Sequence, residues 1–501
     1  MQRTSSTPAR LSRRALLGAT LAAGAATATG PTFARAARSA AGAPAPPVIG
    51  GDPSGLFQEL GNVVARRMVE LRIPGVALGV IADGQEYTAG FGVTNVDLPL
   101  PVDADTLFQI GSTTKTYTAT TIMRLVEQGK LDLEAPVQTY LPDFRIADPG
   151  ASAAVRLRHL VTHTGGWYDN ALEQETGDGD DALARFVAGM ADLPQITPPG
   201  KYFSYNNSAV SLAGRVIEAV TGQTYEAAVA EFVLRPLGLE GASFFPEQIM
   251  TKAFTVGHDV RLGKPVVLEP WALPRLANPA GGLIASLNDE LRYARFHLGD
   301  GTANGARVLS AESMRRMQTP LGPSATLPTM GAPIEAVGVN WMLWHRGGVR
   351  IVSHDGGTNG QQSTFSLVPA RGFAVTVLTN VTAGVLLDAE VTNWALDRFL
   401  GLRQPPVTAT PVDQARLAEY AGEYVSPDGS QTIRVREENG ALQLEGVVPG
   451  LGKIASPLRV VGDDLATLEF MGLTVFIDFV RDDAGKVAWI RFVGRLVPRA
   501  A

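Results

Sequence analysis

Two groups of strand-like segments, far apart in the chain and separated by helices, limit the fold most. Residues 76–82 and 87–93 read as strands, with Asp83-Gly84 between them as a hairpin turn. Strand patterns return at 349–354, 362–369 and 373–379. Between the groups the apolar period is helical. A helix opens at Asp52-Pro53, presents Leu56, Leu60, Val63, Val64, Met68 and Leu71 on one face, and stops by Gly75. Another runs from Ser112 to Gln128 and closes at Gly129, and further helical stretches lie at 208–221, 224–234 and 286–299. This order predicts an α+β fold in which early and late strands pair in one antiparallel sheet covered by helices, with the intervening helices forming an all-helical subdomain.

Composition shifts near residue 401. Gln404-Pro405-Pro406 and the stretch 408–411 read as a linker. Beyond it come short alternating segments at 432–435, 441–446, 458–461, 466–470, 473–479 and 487–492, which predict a small antiparallel barrel or sandwich.

Residues 1–50 differ again. Ser12-Arg13-Arg14-Ala15-Leu16-Leu17 precedes a weakly apolar Ala/Gly/Thr stretch, and Ala34-Arg35-Ala36 offers a small-residue cleavage site. That is the order of a twin-arginine export signal, with a disordered basic tail as the alternative. The stretch is too short and too poor in branched apolar residues for a permanent span. The expected organisation is therefore a signal at 1–36, a linker at 37–51, a first domain at 52–400, a linker at 401–412 and a second domain at 413–501. The expected location is outside the cytoplasm, whether periplasmic, wall-associated or secreted.

Charge and composition exclude several functions. The net charge is −6, and it becomes −11 once residues 1–36 with their five arginines are set aside. So acidic a body argues against nucleic acid or an anionic membrane as the main partner. With no cysteine, thiolate nucleophiles, disulfides and cysteine-ligated zinc are all absent.

The chemistry gathers in three segments. Ser112 and Lys115 stand at i and i+3 near a helix start, on one face, so that a lysine amine of lowered pKa can take the serine proton. Alone, the pair is equally an ordinary surface contact. Tyr205, after Pro199-Gly200 and Phe203, precedes a helix that carries Asn207. A tyrosine near a cation can shuttle a proton, and a half-buried core tyrosine is the alternative. Ser353-His354-Asp355-Gly356-Gly357 ends one strand and Gln361-Gln362-Ser363 begins the next. Its glycines either bring backbone N–H groups to a ligand or merely form a hairpin.

The ordered set Ser112-x-x-Lys115, Tyr205-x-Asn207 and His354-x-Gly356 resembles the serine β-lactamase and penicillin-binding-protein superfamily. Within it, the set is similar to the branch of class C β-lactamases, D-alanyl-D-alanine carboxypeptidases, D-aminopeptidases and esterases. Arg158–Gly166, Pro236-Leu237-Gly238-Leu239 and Ala280-Gly281-Gly282-Leu283 add to the likeness, which covers about 53–400. The resemblance implies a β-lactamase-like sheet and an acyl-enzyme on Ser112. Lys115 and Tyr205 would share the proton transfers, in an order left open. Asn207 would orient Lys115 and the acyl side chain, and the N–H groups of Ser112 and Gly357 would form an oxyanion hole. His354, Gly356 and Gly357 would line the substrate. It implies no cofactor and no metal, with a small molecule or short peptide as substrate.

Where many relatives carry Lys-Thr-Gly, this chain has His354-Asp355-Gly356. A largely neutral histidine is a poor partner for a substrate carboxylate. The expected activity is therefore that of an esterase or D-amino-acid peptidase or amidase, ahead of a β-lactamase or carboxypeptidase, with a non-catalytic penicillin-binding sensor as a third reading. Residues 413–501 resemble the lipocalin-like domain appended to some of these hydrolases. His159 and His163 form the rival reading of an i,i+4 metal pair. Trp341, Trp344 and His345 belong to a strand that packs the sheet or lines a pocket. The acidic run 173–181 is a solvated loop or a cleft rim. Oligomeric state is left open.

Overall fold

In a computed structural model, the described residues are 48–50, 55–169, 174–323, 334–448, 452–470 and 472–500. The leader expected at 1–36, most of the 37–51 linker, the Asp52-Pro53 helix start and Glu173 lie outside them.

The first sheet has eight strands. They are β1 (Val48–Gly50), β2 (Gly75–Ala82), β3 (Gln85–Gly92), β4 (Ala336–Val337), β5 (Met342–Arg346), β6 (Val349–Gly357), β7 (Gln362–Val368) and β8 (Phe373–Thr379). Their order across the sheet is β1-β3-β2-β8-β7-β6-β5-β4. The early hairpin thus pairs with the late strands through β2 and β8, from Val76↔Thr379 to Ile81↔Ala374. Asp83 and Gly84 turn the hairpin at positive φ. The sheet starts earlier than expected: Val48–Gly50, read as linker, pairs with β3.

Both faces are covered, which is why β2 and β8 are apolar without strict alternation. Helices α1 (Gly55–Leu71) and α5 (Gly384–Leu400) cover one face, packing with Val76, Leu78, Val80 and Val377. Helices α2 (Thr114–Glu127), α3 (Asn207–Thr221) and α4 (Leu287–Leu298) belong to the core on the other face.

After a stretch without helix or strand at 401–413, a short helix (Gln414–Tyr420) leads into a second sheet of eight consecutive antiparallel strands. These are β9 (Gly422–Val425), β10 (Thr432–Glu438), β11 (Ala441–Val448), β12 (Gly452–Gly462), β13 (Leu465–Phe470), β14 (Leu473–Arg481), β15 (Val487–Phe492) and β16 (Arg495–Pro498). A bridge between Tyr424 and Arg499 nearly closes them into a barrel around its own apolar core. Ile433 and Val435 point inward while Arg434 and Arg436 stay in solvent, the alternation a barrel wall requires. Four residues are enough for β9 and for β16, and neither was legible as a strand.

The barrel docks on the segment 201–205. Tyr202 Oη donates to the Arg481 carbonyl at 2.9 Å, and its ring lies 5.3 Å from that of Trp489. Tyr205 N donates to the Gly494 carbonyl at 2.8 Å, and Leu496 N to Ser204 Oγ at 3.2 Å.

Candidate active site

Ser112 lies in a single 3₁₀ turn, Gly111–Thr113, and the α-helix proper begins two residues later than expected. The turn is pressed against β6. A Cβ at Gly111 (φ +51°) would fall 2.5 Å from Gly357 N, and one at Gly356 would fall 2.0 Å from the Ile110 carbonyl and 2.9 Å from Ser112 N. So Gly356 admits the chain's own Ser112 turn, where the sequence suggested room for a ligand. Ser363 Oγ donates to the Ile110 carbonyl at 2.7 Å and lies 2.9 Å from Thr113 Oγ1, locking the turn to β7.

Lys115 is fully buried. Its Nζ is 2.9 Å from Ser112 Oγ and donates to the Ala280 carbonyl at 2.5 Å. Burial pushes its pKa well below the usual lysine value, Asp169 opposing and Arg495 assisting. The amine stands 4.9 Å from the centre of the Tyr205 ring. Burial raises the Tyr205 phenol above its ordinary range, and a hydrogen bond with Ser112 and the charge of Arg495 work the other way. The ring of His163 stacks on Tyr205 at 4.5 Å.

Asn207 is the first residue of α3, and its amide donates to Asp169 Oδ2 at 3.2 Å. Asp169 also accepts from Ser208 N and Oγ at 3.0 and 2.9 Å, and pairs with Arg495 at 3.3 Å. Burial opposes its charge, but Arg495 and these hydrogen bonds hold its carboxyl below the usual range. The Arg495 guanidinium stands 5.1 Å from the Tyr205 ring centre. No sequence pattern marked Arg495 or Asp169 as site residues, because Arg495 arrives from the barrel, through the β15–β16 turn.

These groups meet in a cavity of about 310 Å³. One side is lined by Ser112, Tyr205, His354, Gly357 and Arg495. β5 pairs with β6 only as far as Ser353, so among the described residues no strand covers the outer edge of His354–Gly357, and the cavity opens to both faces of the sheet there. His354 is 3% exposed, and its Nδ1–H donates to the Asp355 carbonyl at 2.7 Å. Burial, then the nearby Lys115, hold its pKa to about 3, so the ring is neutral and Nε2 faces the site as an acceptor without a partner.

The other candidates separate. His159 sits in a short helix, Leu157–Val161, with Nδ1 accepting from Arg156 N at 3.1 Å. His163 lies beyond that helix at φ +56° and stacks on Tyr205, so the two histidines do not share a helix face. No group of three or more His, Asp or Glu side chains is placed to hold a metal among the described residues. Trp341 is core, Trp344 lines the cavity and donates to Ser353 Oγ at 3.1 Å, and His345 pairs with Glu335 at 2.6 Å on the surface. In the acidic run, Asp180 pairs with Arg275 and Asp181 with Arg185, both at 2.7 Å, and neither acid lines the cavity.

Residues 60–396 match the model of the family described as Beta-lactamase. Penicillin-binding protein 4 of Amycolatopsis lactamdurans is 35% identical over 366 residues, which cover 72% of this chain and 95% of that protein. The solved structure of SurE with D-Leu has a TM-score of 0.70 at 28% identity, over 89% of this chain and 99% of that one. The octameric penicillin-binding protein homologue from Pyrococcus abyssi shares the fold, with a TM-score of 0.61 at 23% identity over 89% of this chain and 100% of that one.

Proposed function

This chain belongs to the β-lactamase family, and from that premise we propose that it is an exported serine hydrolase that cleaves an ester or amide through an acyl-enzyme on Ser112. One observation carries the reading: a buried lysine, stripped of its preference for charge, lies 2.9 Å from the serine hydroxyl. Lys115 as free amine accepts the Ser112 proton while Oγ attacks the carbonyl. Tyr205, beside both Ser112 and Lys115, passes a proton to the leaving group and afterwards draws one from the water that deacylates the enzyme. Backbone N–H groups at Ser112 and Gly357 receive the oxyanion. Arg495 and Asp169 position this pair: the arginine favours the free amine on Lys115 and stabilises phenolate character on Tyr205.

The structural likeness to a protein solved with D-Leu supports a substrate containing a D-amino acid. A β-lactamase or D-alanyl-D-alanine carboxypeptidase is the second reading. Arg495 favours it, because it brings to the cavity a cation that neutral His354 does not supply.

The test is hydrolysis of p-nitrophenyl acetate by the wild type and by Ser112→Ala, with intact-protein mass measured after incubation with a penicillin. We expect the substitution to lower kcat/KM by about a thousand-fold or more. Ester turnover without a penicillin adduct supports the esterase or amidase branch. A serine-dependent adduct that turns over supports the second reading, and full turnover by Ser112→Ala overturns both.

A further inference from the structure

The cavity continues past the open edge of β6 to the face of the sheet covered by α5. Its wall there is made by Asp355 and Thr364 from β6 and β7 and by Asp388 and Thr392 from α5. Asp388 is 6% exposed, and its Oδ1 has no hydrogen-bond partner. Thr392 is 9% exposed, and its Oγ1 is likewise unpartnered. Asp355 accepts one hydrogen bond, from Thr364 Oγ1 at 2.6 Å, and otherwise faces open cavity. Two carboxyls and an unused hydroxyl therefore line a space in which, among the described residues, no cation pairs with either acid. Arg346 lines the same cavity beside α5: it donates to Asn393 Oδ1 at 2.7 Å, lies 5.0 Å from the Trp344 ring centre and pairs with neither acid.

We propose that this lobe is a subsite for an alkylammonium group of the substrate, held by Asp355 and Asp388 with Thr392 Oγ1 as a further acceptor. An ammonium has three N–H donors and one charge, and the lobe supplies acceptors and the opposite charge. A buried acid left without a partner is costly, and a bound cation removes that cost. Burial, then the charge of Asp355, hold Asp388 well above the usual carboxylate range, so the empty lobe favours its neutral form and a bound ammonium draws it back toward the carboxylate. Arg495 and neutral His354 lie toward Ser112, and the two acids lie at the α5 end, where Arg346 is bonded to Asn393.

The subsite deepens the hydrolase reading, and its test does not need turnover. Binding of three probes to the intact protein is measured by calorimetry: N-acetyl-D-lysinamide, D-norleucinamide and neutral N-acetyl-D-norleucinamide. We expect at least one cationic probe to bind about ten-fold or more tightly than the neutral one. The D-lysine probe reports a side-chain ammonium and D-norleucinamide a terminal one. In Asp388→Asn the ratio falls toward one, and in Thr392→Val it falls part of the way. Equal binding of all three by the wild type, or an unchanged ratio in a folded Asp388→Asn, overturns the subsite. The same probes are run as inhibitors of p-nitrophenyl acetate hydrolysis. Loss of that hydrolysis signal concerns the Ser112 reading alone, because the binding ratio stands without it.

Discussion

His354 carries no charge until about pH 3, so it presents to the cavity an acceptor nitrogen and no cation. Replacing it by lysine restores a positive charge beside Tyr205. We expect His354→Lys to raise the rate of acylation by a penicillin relative to that by a neutral ester by about ten-fold, read from intact mass against time. The same burial predicts acid sensitivity. His159 is held to about 4 and His297 to about 3, in both cases chiefly by burial. Unfolding releases these rings to titrate near 6.5. Between that value and 3–4 the unfolded chain therefore binds more protons, and stability falls as pH falls through the window and is level above it. A series of Tm values from pH 8 to pH 4 should show this slope, and His297→Gln should flatten part of it. At this scale the sequence was most informative where partners are neighbours in the chain. Ser112 and Lys115 are three residues apart on one turn, and the structure brings them into contact. Asp169, Arg495 and Asp388 join the site only through tertiary packing, and no local pattern marks them.

Among the elements, the two tight turns at the cavity carry the strain. Gly111 holds the Ser112 turn against β6 at a φ where a side chain is disfavoured and where its Cβ would meet Gly357 N. Gly111→Ala should lower kcat/KM by about ten-fold or more, because Oγ is displaced from Lys115, and circular dichroism should show an intact fold. In the β15–β16 turn, Val493 has φ +46°, a left-handed conformation that a β-branched side chain adopts at a cost. Val493→Asn should stabilise the protein by about 1 kcal/mol, read from denaturant midpoints. Periodicity located the long helices and the strands that bury a face. It missed β1, β4, β9 and β16, which have too few residues to show a period, and it shortened β12, whose first half carries Lys453, Ser456 and Pro457.

As a whole, the described body joins the barrel core to the two cores that flank the first sheet, through contacts at 168–169 and 201–205. In the connection at 401–413, Arg403 is exposed. Brief trypsin treatment that cuts after Arg403 should leave two fragments that co-elute on size exclusion and keep their ester hydrolysis. The order of strands predicted a sheet closed by distant segments, and β2 against β8 is such a pairing. What the order of strands did not reveal is that the barrel's last hairpin completes the wall of the cavity, because docking depends on surface shape and not on periodicity. The hydrogen bond from Tyr205 N to the Gly494 carbonyl spans most of the chain. Loop closure over such a separation is slow compared with local helix and hairpin formation. During refolding from denaturant, then, ellipticity and core fluorescence should recover first, and hydrolysis should return in a later phase that reports the arrival of this one hairpin.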